Sequence, residues 1–251
     1  MIYLCIPARD EAATIGVLLW KVRKVMGEFG RDYRAVVLDD ASTDGTGEVL
    51  QRYRRSLPLT VLHSEERLGY AASVERLLRH VVDESSYPKR DCAVVLQGDF
   101  TESPDDVVGL VKTIEGGADI VAGCLPRGMT DVPRPVRIAR GLARLAMGGA
   151  LRKAPVSDPL SGLRAYRVIV LKKALRDLPE GQRLVRSEGW AANVDFLRTL
   201  SPHARRIAES PAQLRYDRRT RPSRFQAFRT LLSLARLRGA TRWQAPDTEA
   251  A

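Results

Sequence analysis

The first half of the chain alternates short apolar runs with segments of helical periodicity. The apolar runs lie at residues 3–6, 35–38, 59–62, 93–96 and 120–122. Between them, apolar residues recur every three or four positions over 15–29, 49–53 and 74–81, and Ser103-Pro104 is a good start for a fourth helix. Strands that alternate with helices pair in parallel and are covered on both faces. The pattern therefore predicts an open α/β fold with a mostly parallel sheet and a Rossmann-like first half.

The second half of the 251 residues has a different pattern. A basic helix is predicted at 134–151, a strand at 163–166, a helix at 188–200, a strand-like stretch at 206–216 broken at Pro211, and a last helix at 225–238. The sequence contains no linker, repeat or low-complexity segment. We therefore expect one domain at 1–240, divided into halves 1–127 and 128–240, and a disordered tail at 241–251.

The positive charge of the chain is concentrated near its end. The net charge is +11, and residues 201–242 contain eleven arginines against Glu209 and Asp217. Such a segment implies an anionic partner: phosphate groups, an anionic membrane surface or nucleic acid. No nucleic-acid-binding motif is present, so we expect no nucleic-acid partner. A solvated face rich in arginine is the plain alternative.

Three features bear on the cellular compartment. No apolar run reaches the 18 residues of a membrane-spanning helix, and the start at Met1 has no basic leader or cleavage site. Cys5, Cys92 and Cys124 lie in or beside apolar runs without metal-ligand spacing, and we expect them to be buried free thiols. The prediction is a cytoplasmic protein.

Acidic side chains follow three of the predicted strands. Glu11 follows the first strand, Asp39 and Asp40 end the second, and Asp99 follows the fourth. Ligands of open parallel sheets bind at this edge, where a cluster of acids needs a cation or a ligand rich in donors. The three histidines are far apart, so any metal would be a hard cation on oxygen ligands. Asp44 has an alternative role as a turn or capping residue.

These residues form an ordered series of motifs that resembles family 2 glycosyltransferases of the GT-A fold. The series is IPARDE at 6–11, LDDASTDGT at 38–46, RLG at 67–69, LQGD at 96–99, Gly123 with Arg127, and DPLSGLRAY at 158–166. YDRR at 216–219 and SRF at 223–225 are similar to the dolichyl- or polyprenyl-phosphate sugar synthase branch. The resemblance covers the chain to about residue 230.

The resemblance implies a nucleotide-sugar donor site in residues 1–127 and an acceptor region in 128–240. The implied donor-binding residues are Pro7, Ala8, Glu11, Asp39, Asp40, Gln97 and Gly98. Asp99, with an oxygen from Gln97, would hold the Mg²⁺ or Mn²⁺ that bridges the two phosphates. Gln97 stands where the family has the first Asp of Asp-x-Asp, which removes one charge and should weaken cation binding.

The acceptor side is expected to bind phosphate through arginines. An anionic phosphate acceptor needs cationic groups to hold it and no general base. A guanidinium group can bind two phosphate oxygens at once. The acceptor candidates are Arg127, Arg137, Arg140, Arg218, Arg219, Ser223 and Arg224, and the predicted catalytic residues are Asp99, Asp158 and Arg164. Asp158 would be the base if one is needed, or else an ion-pair partner of an arginine.

The implied reaction is transfer of a sugar, with inversion, to a lipid phosphate at the inner face of the plasma membrane. The arginine-rich last helix would lie on the anionic membrane, or else pack on the core. Two alternatives stay open: transfer to a sugar hydroxyl of a glycan, and a catalytically silent binding module, which Gln97 suggests.

Overall fold

The computed structural model describes residues 1–124 and 154–213, with isolated positions at 138, 141, 142, 145, 148, 233 and 234. Its strands are β1 (Ile2–Ala8), β2 (Tyr33–Asp40), β3 (Leu59–Ser64), β4 (Cys92–Val95), β5 (Ile120–Cys124), β6 (Arg164–Arg167) and β7 (Ile207–Pro211). Its helices are α1 (Ile15–Phe29), α2 (Thr46–Tyr53), α3 (Tyr70–Glu84), α4 (Pro104–Glu115), α5 (Val168–Arg176) and α6 (Trp190–Leu200), followed by one 3₁₀ turn at Ser201–His203.

The described strands form one seven-stranded sheet in the order β3-β2-β1-β4-β6-β5-β7. β1 pairs in parallel with β2 and with β4, and β2 pairs in parallel with β3. The chain therefore builds outward from β1 in one direction and then returns to β4 on the other side. Such a reversal of strand order opens a crevice at the carboxyl ends of the two central strands. The predicted open α/β fold is confirmed, and its crevice lies between β1 and β4.

Apolar cores cover both faces of the sheet. On β1, Leu4 and Ile6 belong to the core that includes α1 and α4, whereas Tyr3 and Cys5 belong to the core that includes α3, α5 and α6. Successive side chains of a strand point to opposite faces. A strand that is buried on both faces must be apolar at every position, which is why the sequence shows continuous apolar runs.

One strand runs against the others. β6 is antiparallel to both β4 and β5 and lies between them. The sequence predicted a strand at 163–166 but gave neither its direction nor its place, since both depend on how the chain returns to the sheet. The helix α5, which follows β6 directly, was not predicted either.

The other predicted elements have three outcomes. Ser103 caps α4 as expected, because its hydroxyl accepts a hydrogen bond from the N–H of Asp105. Cys5 and Cys92 are buried, but Cys124 is only partly buried because it ends β5; all three are free thiols. The predicted helices at 134–151 and 225–238 lie outside the described residues apart from the isolated positions, and the tail at 241–251 lies wholly outside them. Among the described residues, no helix is both long and apolar enough to cross a membrane.

Candidate active site

Backbone strain is concentrated where the central strands end. Across residues 1–124 and 154–213, three non-glycine residues have positive φ angles: Asp10 at 47°, Ala41 at 52° and Phe100 at 61°. Asp10 follows β1, Ala41 follows β2, and Phe100 lies beyond the end of β4. A non-glycine residue in this region is held there by its surroundings, and such residues cluster at functional sites. This edge of the sheet is the candidate active site.

The loops after β1 and β2 are joined by hydrogen bonds. The Asp10 Oδ1 accepts from the Thr43 N–H at 2.9 Å, and the Glu11 N–H donates to the Thr46 hydroxyl at 2.8 Å. Asp44 accepts from the Ala12 N–H at 3.0 Å and from the Thr46 N–H at 3.1 Å. Of the roles left open for Asp44, its contacts are those of a turn and capping residue.

Asp39 and Asp40 are both buried and contact different elements. The Asp39 carboxylate accepts from the Ser42 N–H at 3.2 Å and lies 3.5 Å from the Nδ1 of His63. The Asp40 carboxylate accepts from the N–H groups of Leu68 (2.5 Å) and Gly69 (3.1 Å), at the start of α3. Adjacent residues of a strand point to opposite faces, so the two acids hold loops on opposite sides of the end of β2.

The end of β4 approaches β1 closely. A Cβ atom added to Gly98 would lie 3.1 Å from the carbonyl oxygen of Pro7 and 3.4 Å from the Cβ of Ala8. The Thr14 hydroxyl lies 3.1 Å from the Gly98 carbonyl oxygen and 2.9 Å from the Glu11 carboxylate. The structure thus brings together Pro7, Ala8, Glu11 and Gly98, which the sequence places 91 residues apart at most. A side chain at position 98 would require β1 and β4 to move apart by a few tenths of an ångström.

Asp99 and Gln97 lie beside this contact. Asp99 is buried, and its Oδ1 accepts from the Thr101 N–H at 3.0 Å. Within residues 1–124 and 154–213, no three His, Cys, Asp or Glu side chains form a group able to hold a metal ion. A carboxylate and an amide oxygen are nevertheless hard donors, and Mg²⁺ is often held by one or two carboxylates together with substrate phosphates. These two oxygen donors suit a cation whose coordination the oxygens of a diphosphate would complete.

Glu102 was not among the site residues predicted from the sequence. Its carboxyl group is 2% exposed and accepts a hydrogen bond from the Gln97 N–H at 2.9 Å. Burial, assisted by the nearby Asp99 charge, raises the pKa of Glu102 to about 8, although backbone hydrogen bonds from Gln97 and Leu163 act to lower it. The only sequence signal was its position before the Ser103 cap of α4, which is ordinary for a glutamate.

Arg164 and Asp158 are buried in the segment that leads into β6. The Arg164 side chain is 1% exposed, and its guanidinium group donates to the carbonyl oxygens of Asn193 and of Pro159, the latter at 2.6 Å. Asp158 lies near Cys124, whose thiol pKa is raised by burial and then by the charges of Glu209 and Asp158. The contacts of Arg164 favour a bracing role, and its contact with a phosphate stays a prediction.

The predicted acceptor residues are six arginines and one serine. Arg127, Arg137, Arg140, Arg218, Arg219, Ser223 and Arg224 all lie outside the described residues.

An open, mostly parallel sheet with acidic residues at the strand ends beside its switch point is typical of nucleotide-binding α/β proteins. The model of the family described as "Glycosyl transferase family 2" matches residues 3–175. The chain belongs to this family, as the motifs predicted.

Two curated relatives resemble about two thirds of the chain. The undecaprenyl-phosphate 4-deoxy-4-formamido-L-arabinose transferase of Edwardsiella ictaluri is 25% identical over 175 residues, which are 68% of this chain and 50% of that protein. The dolichol-phosphate mannosyltransferase of Pyrococcus furiosus is 25% identical over 171 residues, 66% of this chain and 46% of that protein. The chain thus matches about half the length of these relatives.

Solved structures share the fold. Glucosyl-3-phosphoglycerate synthase from Mycobacterium tuberculosis, solved with Mn²⁺, UDP and glucosyl-3-phosphoglycerate, has a TM-score of 0.55 and 22% identity, and the match covers 99% of this chain and 81% of that one. Staphylococcus aureus TarS 1–349 in complex with UDP-GlcNAc has a TM-score of 0.54 and 18% identity, covering 83% of this chain and 55% of that one. At these identities the likeness establishes the GT-A fold.

Proposed function

We propose that this protein transfers a sugar, with inversion, from a nucleotide-diphosphate sugar to a polyprenyl- or dolichyl-phosphate acceptor at the cytoplasmic face of the membrane. The observation that carries the donor half of the proposal is the convergence of Pro7, Ala8, Glu11 and Gly98 at the switch point. The acceptor half is supported by two curated relatives, whose names specify undecaprenyl-phosphate and dolichol-phosphate transferases.

The donor would lie across the ends of β1, β2 and β4. Asp39 and Asp40 would face the nucleoside, as the family resemblance implies, and each already fixes a neighbouring loop. Gly98 packs closely against Pro7 and has no side chain, so nothing at this point would obstruct the diphosphate. In this arrangement, the strand ends supply rigid walls rather than mobile ligands, which favours a preformed donor site.

Asp99, with the Gln97 oxygen, would hold Mg²⁺ or Mn²⁺ against the diphosphate. When bound, the cation would neutralise the charge that develops on the leaving nucleoside diphosphate. Asp99 is held for this task by the Thr101 N–H at 3.0 Å. With a glutamine in place of one family carboxylate, the free chain should bind the cation weakly and the cation–nucleotide pair more strongly.

The acceptor phosphate would be bound by arginines from outside the described residues, among them Arg218 and Arg219. A phosphate monoester is already anionic, so its oxygen can attack the sugar carbon without a base once cations hold it in line. The arginine-rich segment 201–242 also suits an anionic membrane surface.

The test is mass spectrometry of products formed from undecaprenyl phosphate and a panel of nucleotide-sugars with Mn²⁺ or Mg²⁺. The expected product is a lipid-linked monophosphate sugar, formed by the wild type, absent in EDTA and absent in Asp99→Ala. Arg218→Ala should raise the KM for lipid phosphate and leave donor binding unchanged. Transfer only to a glycan hydroxyl would contradict the lipid acceptor, and donor binding without any transfer would indicate a silent binding module.

A further inference from the structure

The loop that carries Asp99 is hydrogen-bonded to the carboxyl group of Glu102, which has no role in the proposed chemistry. The Glu102 Oε2 accepts from the Gln97 N–H at 2.9 Å, and the backbone of Leu163 also hydrogen-bonds to this carboxyl group. Gln97 precedes Asp99 by two residues, and Leu163 directly precedes β6. A single side chain thus joins the turn after β4 to the entry of the antiparallel strand.

The same point in the fold brings together two further polar side chains. A Cβ atom added to Gly162 would lie 3.2 Å from the Glu102 Oε1, 3.1 Å from the Gln97 Nε2 and 3.1 Å from the Tyr70 hydroxyl. The Tyr70 hydroxyl donates to the Asn193 Oδ1 at 2.9 Å. Gly162 therefore leaves just enough room for side chains from the β4 turn and α3 to meet beside the 158–163 segment.

The network closes through the segment that contains Asp158. The Asn193 Nδ2 donates to the Leu160 carbonyl oxygen at 3.0 Å, and Arg164 donates to the carbonyl oxygens of Pro159 and Asn193. The 158–163 segment is thereby fixed to α6 on one side and to Glu102 on the other.

The turn that Glu102 holds is strained. Phe100, directly after Asp99, has a φ angle of 61° and is buried. A non-glycine residue in this conformation costs about 1–3 kcal/mol and persists only where its surroundings impose it. Two hydrogen bonds span Phe100 along the chain: one joins Asp99 to Thr101, and the other joins Gln97 to Glu102. Both hydrogen bonds restrict the conformation that Phe100 can adopt.

We propose that Glu102 is a positioning residue of the donor site, which sets Asp99 in place relative to the 158–163 segment by joining Gln97 to Leu163. The inference rests on the proposed donor site and adds a residue to it. It predicts that loss of the Glu102 carboxyl group lowers the affinity for a nucleotide with its cation, because the cation would be bound through Asp99. Binding of the nucleotide alone, which depends on the ends of β1 and β2, should be unaffected.

The test compares Glu102→Gln and Glu102→Ala with a matched control, Glu75→Ala. Glu75 is a buried glutamate of α3 that is paired with Arg79 and has no contact in the network described above. Calorimetry with UDP or GDP, whichever the wild type binds more tightly, would be run with MnCl₂ and again with EDTA. Both Glu102 variants should bind the nucleotide with Mn²⁺ about tenfold more weakly, the equivalent of about one lost hydrogen bond. Binding in EDTA should stay within about twofold of wild type, and Glu75→Ala should match wild type in both.

A second measurement needs no ligand. Hydrogen exchange should increase together in peptides covering 96–103 and 158–166 in Glu102→Gln, but in neither peptide of Glu75→Ala. A wild-type chain that binds no nucleotide with Mn²⁺ would contradict the proposed function and leave the exchange result to decide on Glu102. Unchanged exchange in both peptides would overturn the positioning role, as would an equal loss of binding with and without Mn²⁺ in a folded variant.

Discussion

Glu102 should make the stability of the protein depend on pH in a direction opposite to that of an ordinary surface carboxylate. In the unfolded chain its pKa is near 4.5, and in the folded protein burial raises the pKa to about 8. Between these values the folded state keeps a proton that the unfolded state has released. The free energy of unfolding therefore falls as pH rises through this window and is constant above it.

The size of this change in the free energy of unfolding follows from the difference between the pKa values of Glu102 in the folded and unfolded states. Each pH unit of difference in pKa corresponds to about 1.4 kcal/mol, so ionising Glu102 in the folded state costs up to about 5 kcal/mol. Glu102→Gln removes the charge but keeps the size. The stability of this variant minus that of wild type should therefore increase by several kcal/mol between about pH 5 and pH 8. At about pH 5 the variant should be less stable by about 1 kcal/mol, because an amide has one oxygen for two N–H donors.

The assay is urea unfolding of both proteins at a series of pH values, in EDTA so that no cation contributes. The difference between variant and wild type cancels the other titrating groups. Glu75→Gln serves as control, because it removes a buried carboxylate that is paired with Arg79 at 2.8 Å and lies outside the Glu102 network. A Glu102→Gln difference that stays flat from pH 5 to pH 8 would refute the reasoning, since it would mean that Glu102 is ionised throughout.

Three further predictions concern the walls of the site. Gly98→Ala should lower the free energy of unfolding by about 1–3 kcal/mol in urea titrations, because its Cβ would lie 3.1 Å from the Pro7 carbonyl oxygen; an unchanged midpoint would show that β1 and β4 can separate there. Asp44→Ala should cost about 1–2 kcal/mol and increase hydrogen exchange at residues 10–14, since it leaves the Ala12 N–H without its acceptor; Asp44→Asn should recover most of the loss. Arg164→Met should unfold at a temperature several degrees lower, because the carbonyl oxygens of Pro159 and Asn193 lose a buried donor; a stable variant that lost only lipid-phosphate binding would instead support a ligand role for Arg164.

Much of the fold could be read from the sequence because it depends on local pattern. The strands of a sheet buried on both faces must be continuously apolar, as are β1, β4, β5 and the central part of β2 at residues 35–38. The ends of these strands must carry the polar residues, because there the chain leaves the core. The family motifs fall at those same places, which is why Glu11, Asp39, Asp40 and Asp99 were predicted together.

The tertiary structure alone decided what each of those residues touches. Sequence pattern placed a strand at 163–166 but not between β4 and β5, and its antiparallel direction depends on the path by which the chain returns to the sheet rather than on periodicity. That path brings Leu163 to Glu102 and Asn193 to Tyr70, contacts between residues 61 and 123 positions apart. A glutamate before a helix cap looks like a solvated residue in the sequence. Its burial, and with it the shift in its pKa, arises only when β6 closes over it, because desolvation depends on all the atoms around a group and not on its neighbours in the chain.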